Sequence, residues 1–153
     1  MHILELKVPP PLVAVLVAMI MWLAAWAAPA LRFEVPGRRV IAPCLAVVGM
    51  AVSIAGIVSF RRARTTVNPL KPQSASSLVV SGVYRISRNP MYVGMALLLL
   101  GWAVWLANVM AFVILPVFVL YITRFQIRPE EAVMTTLFGE EYEAYRSRVR
   151  RWL

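Results

Sequence analysis

Hydrophobic and polar positions in this chain fall into long blocks. Leu12 to Ala28 is uncharged for 17 residues, Val40 to Phe60 for 21, and Met91 to Thr123 for 33. Uncharged apolar runs of this length predict membrane helices. The first two runs predict one span each. Pro29 closes the first, and Pro43 falls in the first turn of the second, where proline is tolerated. Gly49, Ser53 and Gly56 follow at spacings of four and three, which puts small residues on one face as a packing seam. The third run is too long for one span, since a single helix would extend about 50 Å against a hydrocarbon core of about 30 Å. Ala107-Asn108 is its polar break, with Trp102 and Trp105 just before it as interface anchors. A tight hairpin of Met91–Leu106 and Val109–Thr123 is expected, its second arm kinked at Pro116.

The polar blocks predict the rest. Residues 29–39 form a short turn. Arg61, Arg62 and Arg64 end the second span, and Asn68-Pro69, Lys71-Pro72 and a serine-rich patch predict a non-helical loop. After the hairpin, Arg124 to Arg128 return to water. Pro129-Glu130-Glu131 opens a helix, with proline at its first position and acids where the dipole favours them. Met134, Leu137 and Phe138 form its apolar face, and Gly139 is the expected stop. Glu140–Arg151 reads as a second amphipathic helix lying on lipid headgroups, with Tyr142, Tyr145 and Val149 on one side. The expected fold is all-α and integral to the membrane. It has four transmembrane helices, the last two a tight helical hairpin, and C-terminal amphipathic cytoplasmic helices. One domain covers 1–153: two N-terminal spans in 1–60, a loop in 61–90, the hairpin in 91–123 and the tail in 124–153. A signal peptide is the competing reading of the first run, with Lys7 ahead of it and Ala25-Trp26-Ala27 as cleavage site.

Composition and charge orient these blocks. The chain is 61% hydrophobic with a formal net charge of +9. No nucleic-acid motif accompanies the charge, so its partner is the anionic membrane surface rather than nucleic acid. Four spans put 13 Lys and Arg on one side of the membrane and three, Arg32, Arg38 and Arg39, on the other. The positive-inside rule then places both termini in the cytoplasm. Cys44 is a lone cysteine and His2 a lone histidine, so a Cys/His metal site is not expected.

Candidate chemistry gathers between Leu78 and Gly94. This stretch turns at Ser81-Gly82, collects Arg85 and Arg88, and enters the hairpin through Asn89-Pro90. Together with Glu130-Glu131 it can answer a molecule that carries both charges. The glutamates suit cationic groups, Arg85 or Arg88 suits a carboxylate, and the rings of Tyr84 and Tyr92 suit a flat or cationic group.

The order of these motifs resembles a known family. Gly82-Val83-Tyr84-Arg85, then Arg88-Asn89-Pro90-Met91-Tyr92-Val93-Gly94, an apolar hairpin, Glu130-Glu131, and Phe138-Gly139-Glu140-Glu141-Tyr142 with Tyr145 resemble the isoprenylcysteine carboxyl methyltransferases in their short bacterial form. The phospholipid N-methyltransferases are related through the Pro-x-Tyr-x-Gly element and the paired glutamates. The resemblance covers about residues 61–152. It implies S-adenosyl-L-methionine bound at the cytoplasmic face, released as S-adenosyl-L-homocysteine, and a lipophilic acceptor arriving from the bilayer. It puts Tyr84, Arg88, Asn89, Pro90, Tyr92, Gly94, Glu130 and Glu131 around the cofactor, with Arg88, Asn89 and Glu131 as the catalytic set and Arg85 beside them. Eukaryotic members carry histidine where this chain has Asn89, which forms hydrogen bonds but does not titrate.

Carboxyl O-methylation of an isoprenylcysteine-like or other small amphiphile is the leading expectation. Phospholipid or amine N-methylation and thiol S-methylation are the alternatives. A four-helix transporter would keep an ionisable residue near the bilayer midplane, and none of the four expected spans has one. A non-catalytic membrane adaptor is separated from an enzyme only by cofactor binding. The oligomeric state is left open.

Overall fold

In the computed structural model, residues 5–63 and 72–153 are described. They form five α-helices: α1 (Pro10–Ala27), α2 (Arg38–Arg62), α3 (Pro90–Leu106), α4 (Val109–Ile122) and α5 (Arg128–Arg148). Among the described residues there is no strand, only two isolated bridges, Arg32 with Asn108 and Ser87 with Arg150. His2 and the loop expected through Asn68-Pro69 and Lys71 lie outside the described residues.

Prolines set the helix starts. Pro10 and Pro90 stand in the first turns of α1 and α3, where their missing N–H groups are no loss. At 18 residues α1 is about 27 Å long, and α2 at 25 residues about 38 Å. Length and apolarity qualify α1, α2 and the helical stretch that begins with α4 to cross a bilayer, with α3 a shorter apolar helix beside them. Apolar side chains such as Trp26, Val47 and Leu120 point outward, as they do on lipid-facing helices of an integral membrane protein.

The hairpin turns at Ala107-Asn108. Ala107 takes a left-handed conformation with φ 47° and ends α3. Asn108 is fully buried and works in two directions: its Oδ1 accepts from Met110 N at 2.9 Å, and its Nδ2 donates to Ala28 O at 2.8 Å. The side chain thus caps α4 and pins the hairpin tip to the end of α1. Phe33 N reaches Ala107 O at 3.0 Å from the turn that follows.

The small-residue seam of α2 packs directly on α3. A Cβ at Gly49 would stand 2.6 Å from Gly94 O, one at Gly101 would stand 2.8 Å from Ala42 O, and one at Gly94 would collide with Ser53 Oγ and Gly49 O. These backbones touch because nothing larger than hydrogen lies between them. Gly94 belongs to this seam.

Four expectations change beyond the hairpin. Pro129 does not open a separate helix. The backbone stays helical from α4 through a π turn, Thr123–Ile127, in which Arg128 N bonds Thr123 O. Pro129 has no N–H for Phe125 O, and that carbonyl accepts from Leu6 N at 3.1 Å instead. Gly139 bends α5 sharply, with φ 49° and ψ −122°, but two helical halves meet there without a loop. The last helix stops at Arg148, because residues from Val149 onward turn extended and pair with Ser87 and Arg88. That folding-back also moves Tyr142 and Tyr145 away from an interfacial position: both are buried in the protein.

Candidate active site

The bend at Gly139 folds the second half of α5 over the entrance to α3. Between them, the end of α2 and residues 72–79 lies a cavity that is open to the outside on one side. Tyr84, Arg88, Asn89, Tyr92, Glu130 and Glu131 all line it.

Each is held by local structure. Gly82, at φ 61°, turns the chain into a short 3₁₀ helix, Gly82–Arg85, which directs Tyr84 inward. The Tyr84 ring packs edge-on against Phe60 with centroids 5.4 Å apart, and its carbonyl accepts from Tyr145 Oη at 2.7 Å. Burial raises the Tyr84 hydroxyl well above its ordinary range, with Tyr145 and Glu130 adding to the effect. Both hydroxyls therefore stay neutral donors.

The two glutamates are adjacent in sequence and differ in environment. Glu130 accepts from Tyr92 Oη at 2.5 Å. Burial pushes its carboxyl up to about 8; the Tyr92 bond opposes this and Glu131 adds to it. Glu131 stands between two arginines. Arg151 donates from Nε to Oε1 at 3.0 Å and from Nη2 to Oε2 at 2.7 Å, while Arg88 Nη2 lies 3.1 Å from Oε1. These bonds raise the Arg151 guanidinium above its ordinary value. The Arg88 side chain is only 9% exposed, and its Nε and Nη1 are buried with no partner among the described residues. A buried guanidinium with two idle donors is costly unless an acceptor arrives.

Asn89 caps α3 by position without a side-chain capping bond. Its Nδ2 donates to Arg151 O at 2.9 Å, so its amide is engaged by the tail. Three residues grouped with the site by sequence sit elsewhere. Arg85 is exposed and outside the cavity wall. Pro90 is buried near Gly56, and Gly94 is in the seam with α2. The proline and glycine shape the entrance to α3 rather than touch the cavity. Sequence reading missed Phe60, Met134, Tyr142, Tyr145 and Arg151. The spacing of three between Tyr142 and Tyr145 was a usable signal, since it sets two rings on one helical face. Nothing local marks Arg151, whose place depends on the extended tail.

The apolar helices of an integral membrane protein thus carry a mostly apolar cavity whose wall also holds both charge signs and a guanidinium with buried idle donors. Residues 38–141 match the phospholipid methyltransferase family model. A "probable protein-S-isoprenylcysteine O-methyltransferase" of Oryza sativa is 31% identical over 108 residues, 69% of this chain and 55% of the rice protein. The "protein-S-isoprenylcysteine O-methyltransferase" of Schizosaccharomyces pombe is 39% identical over 75 residues, 47% of this chain and 30% of the yeast protein. An uncharacterized protein of Haemophilus influenzae is 44% identical over 63 residues, 41% of this chain and its own whole length. The chain thus spans about half the length of the rice relative and less of the yeast one. No solved structure matches it significantly. The chain belongs to the phospholipid methyltransferase family and is related to the isoprenylcysteine carboxyl methyltransferases.

Proposed function

We propose that this protein transfers a methyl group from S-adenosylmethionine to a lipophilic acceptor at the cytoplasmic face of a bacterial inner membrane, with both termini cytoplasmic. The observation that carries this is Arg88: two buried donors without a described partner, on the wall of a cavity that also contains Glu130. That donor set suits the carboxylate of the cofactor, and Glu130 suits its cationic groups. Tyr84, Tyr142 and Tyr145 supply ring faces for the adenine and the cation. When bound, the cofactor supplies an electrophilic methyl group. The protein's part is to hold the donor, align the acceptor and exclude water.

A carboxylate acceptor is the reading favoured here. It uses an oxygen lone pair, becomes a methyl ester and loses no proton, which suits a wall with no histidine among the described residues. An amine acceptor is the second reading, and one observation favours it: Glu130, with its carboxyl at about 8, can accept the proton such an acceptor must lose. The test is to incubate purified protein with methyl-labelled S-adenosylmethionine and matched lipidated acceptors bearing a carboxylate or an amine. Label released as methanol by mild base identifies the ester. Base-stable label identifies N-methylation. No transfer to either, together with no binding of S-adenosylhomocysteine by calorimetry, would end the proposal.

A further inference from the structure

Arg88 shares the carboxylate of Glu131 with a second arginine, Arg151. Residues 149–152 pass beside the entrance to α3, held by hydrogen bonds. Arg88 N donates to Arg150 O at 2.9 Å, and Arg151 O accepts from Asn89 Nδ2 at 2.9 Å and from Ser87 Oγ at 3.4 Å. Trp152 Nε1 continues the line to Thr123 Oγ1 at 3.2 Å. These bonds use the main chain of residues 150 and 151 and the Trp152 indole; the Arg151 side chain is not needed for them. That side chain does something separate. It forks onto both oxygens of Glu131, whose side chain is 12% exposed, while Arg88 is left a single contact with the same carboxylate.

Two arginines around one carboxylate leave one positive charge in excess. A carboxylate facing a single arginine forms the two-pronged pair that guanidinium geometry favours. Without its fork to Arg151, Glu131 is free to take more of Arg88. We infer that Arg151 is a positioning residue: by occupying both oxygens of Glu131 it keeps two donors of Arg88 uncommitted at the cavity wall for the carboxylate of the cofactor. Arg150, the exposed neighbour, enters the arrangement through its main-chain carbonyl. The inference rests on the cofactor reading above.

The test is calorimetric titration of the full chain in detergent with S-adenosylhomocysteine, which retains the carboxylate. Arg151→Ala should weaken binding about tenfold or more, the size of a lost charge-assisted hydrogen bond. Arg151→Lys keeps the charge and loses the fork, so its affinity should fall between the two. The decisive comparison is a second ligand, decarboxylated S-adenosylhomocysteine, which lacks the group that Arg88 is held for. Its affinity should change by less than about threefold in Arg151→Ala, so that the loss is confined to the ligand bearing the carboxylate. A merely structural tail contact predicts equal weakening of both ligands, and that result overturns the inference. Unchanged affinity in Arg151→Ala does so as well. If Arg151→Ala fails to fold, an Arg151→Lys protein that binds as tightly as the parent has the same consequence. Failure of the parent itself to bind would remove the cofactor reading, whereas a parent that binds beside an indifferent Arg151→Ala removes this inference alone.

Discussion

Tyr92 and Glu130 lie 38 positions apart and share a hydrogen bond of 2.5 Å across the mouth of the hairpin. One residue stands in the first turn of α3, the other at the start of α5. The bond joins the entrance of the hairpin to its exit and holds Glu130 on the cavity wall. It gives that carboxylate a fixed position while burial holds its proton near neutral pH.

Binding of S-adenosylmethionine should therefore depend on pH. Burial raises the Glu130 carboxyl from 4.5 to about 8 without ligand. A cationic ligand favours the ionised form, so binding drives proton loss. Affinity should rise with pH up to about 8, by at most about tenfold per pH unit, and level off above it. Glu130→Gln should flatten the profile and lower the plateau. Calorimetry in buffers of different ionisation heat reads both affinity and proton release. A flat profile in the parent would show that Glu130 does not face the cation. Ligand-free stability carries the opposite sign: the folded state binds more protons between about 4.5 and about 8, so this group's contribution falls as pH rises across that interval.

Asn108→Ala should destabilise the fold and leave the site chemistry intact. The substitution removes a helix cap and a buried bond to Ala28 O, at a combined cost of about 1–3 kcal/mol. A thermal melt in detergent should shift downward by several degrees, while the folded fraction binds S-adenosylhomocysteine with parent affinity. An unshifted melt would mean that the hairpin tip is held by other contacts.

Gly94 offers a direct contrast between packing and binding. A methyl there meets Ser53 Oγ and Gly49 O in the neighbouring helix, and Ser53 N at 2.9 Å. Gly94→Ala should lower stability by about 1–3 kcal/mol through overpacking. Its folded fraction should keep cofactor affinity within a few-fold, since Gly94 does not line the cavity. A normal melt with lost binding would return Gly94 to the cofactor site.

How much of this was legible in the sequence depended on range. Unbroken apolar runs fixed the helices to within a few residues, and Asn108 marked the hairpin turn because no other polar residue interrupts that stretch. The seam of Gly49, Ser53 and Gly56 followed from helical spacing, but its partner Gly94 was read through motif order and so given to the cofactor. Roles set by contacts distant in sequence were not legible. Nothing near Pro129 says that Leu6 will take the carbonyl it frees. Nothing near Arg151 says that it will reach Glu131, 20 positions earlier. For the same reason Glu130 and Glu131, alike in sequence, take different surroundings only once the tail folds back.

The last expectation concerns how the acceptor arrives. The cavity is walled by polar groups from α5 and the stretch before α3, and by apolar ones such as Phe60, Leu78, Val79 and Met134. Phe60 ends a span and Met91 begins one, so the apolar side of the cavity adjoins the membrane helices. A polar cofactor is soluble on the aqueous side, and a lipid tail is not. An amphiphile can instead reach the cavity within the bilayer, with its head group at the interface and its tail in hydrocarbon. Each buried methylene then contributes about 0.8 kcal/mol, and that contribution appears in KM more than in kcat because the tail is bound equally in ground and transition states. Acceptors sharing one head group and differing in chain length should therefore show kcat/KM rising with length and kcat nearly constant. The measurement is a steady-state series in nanodiscs of fixed composition, with partitioning of each acceptor determined separately. Equal kcat/KM for a short, fully water-soluble acceptor and its long-chain counterpart would remove the case for entry from the bilayer.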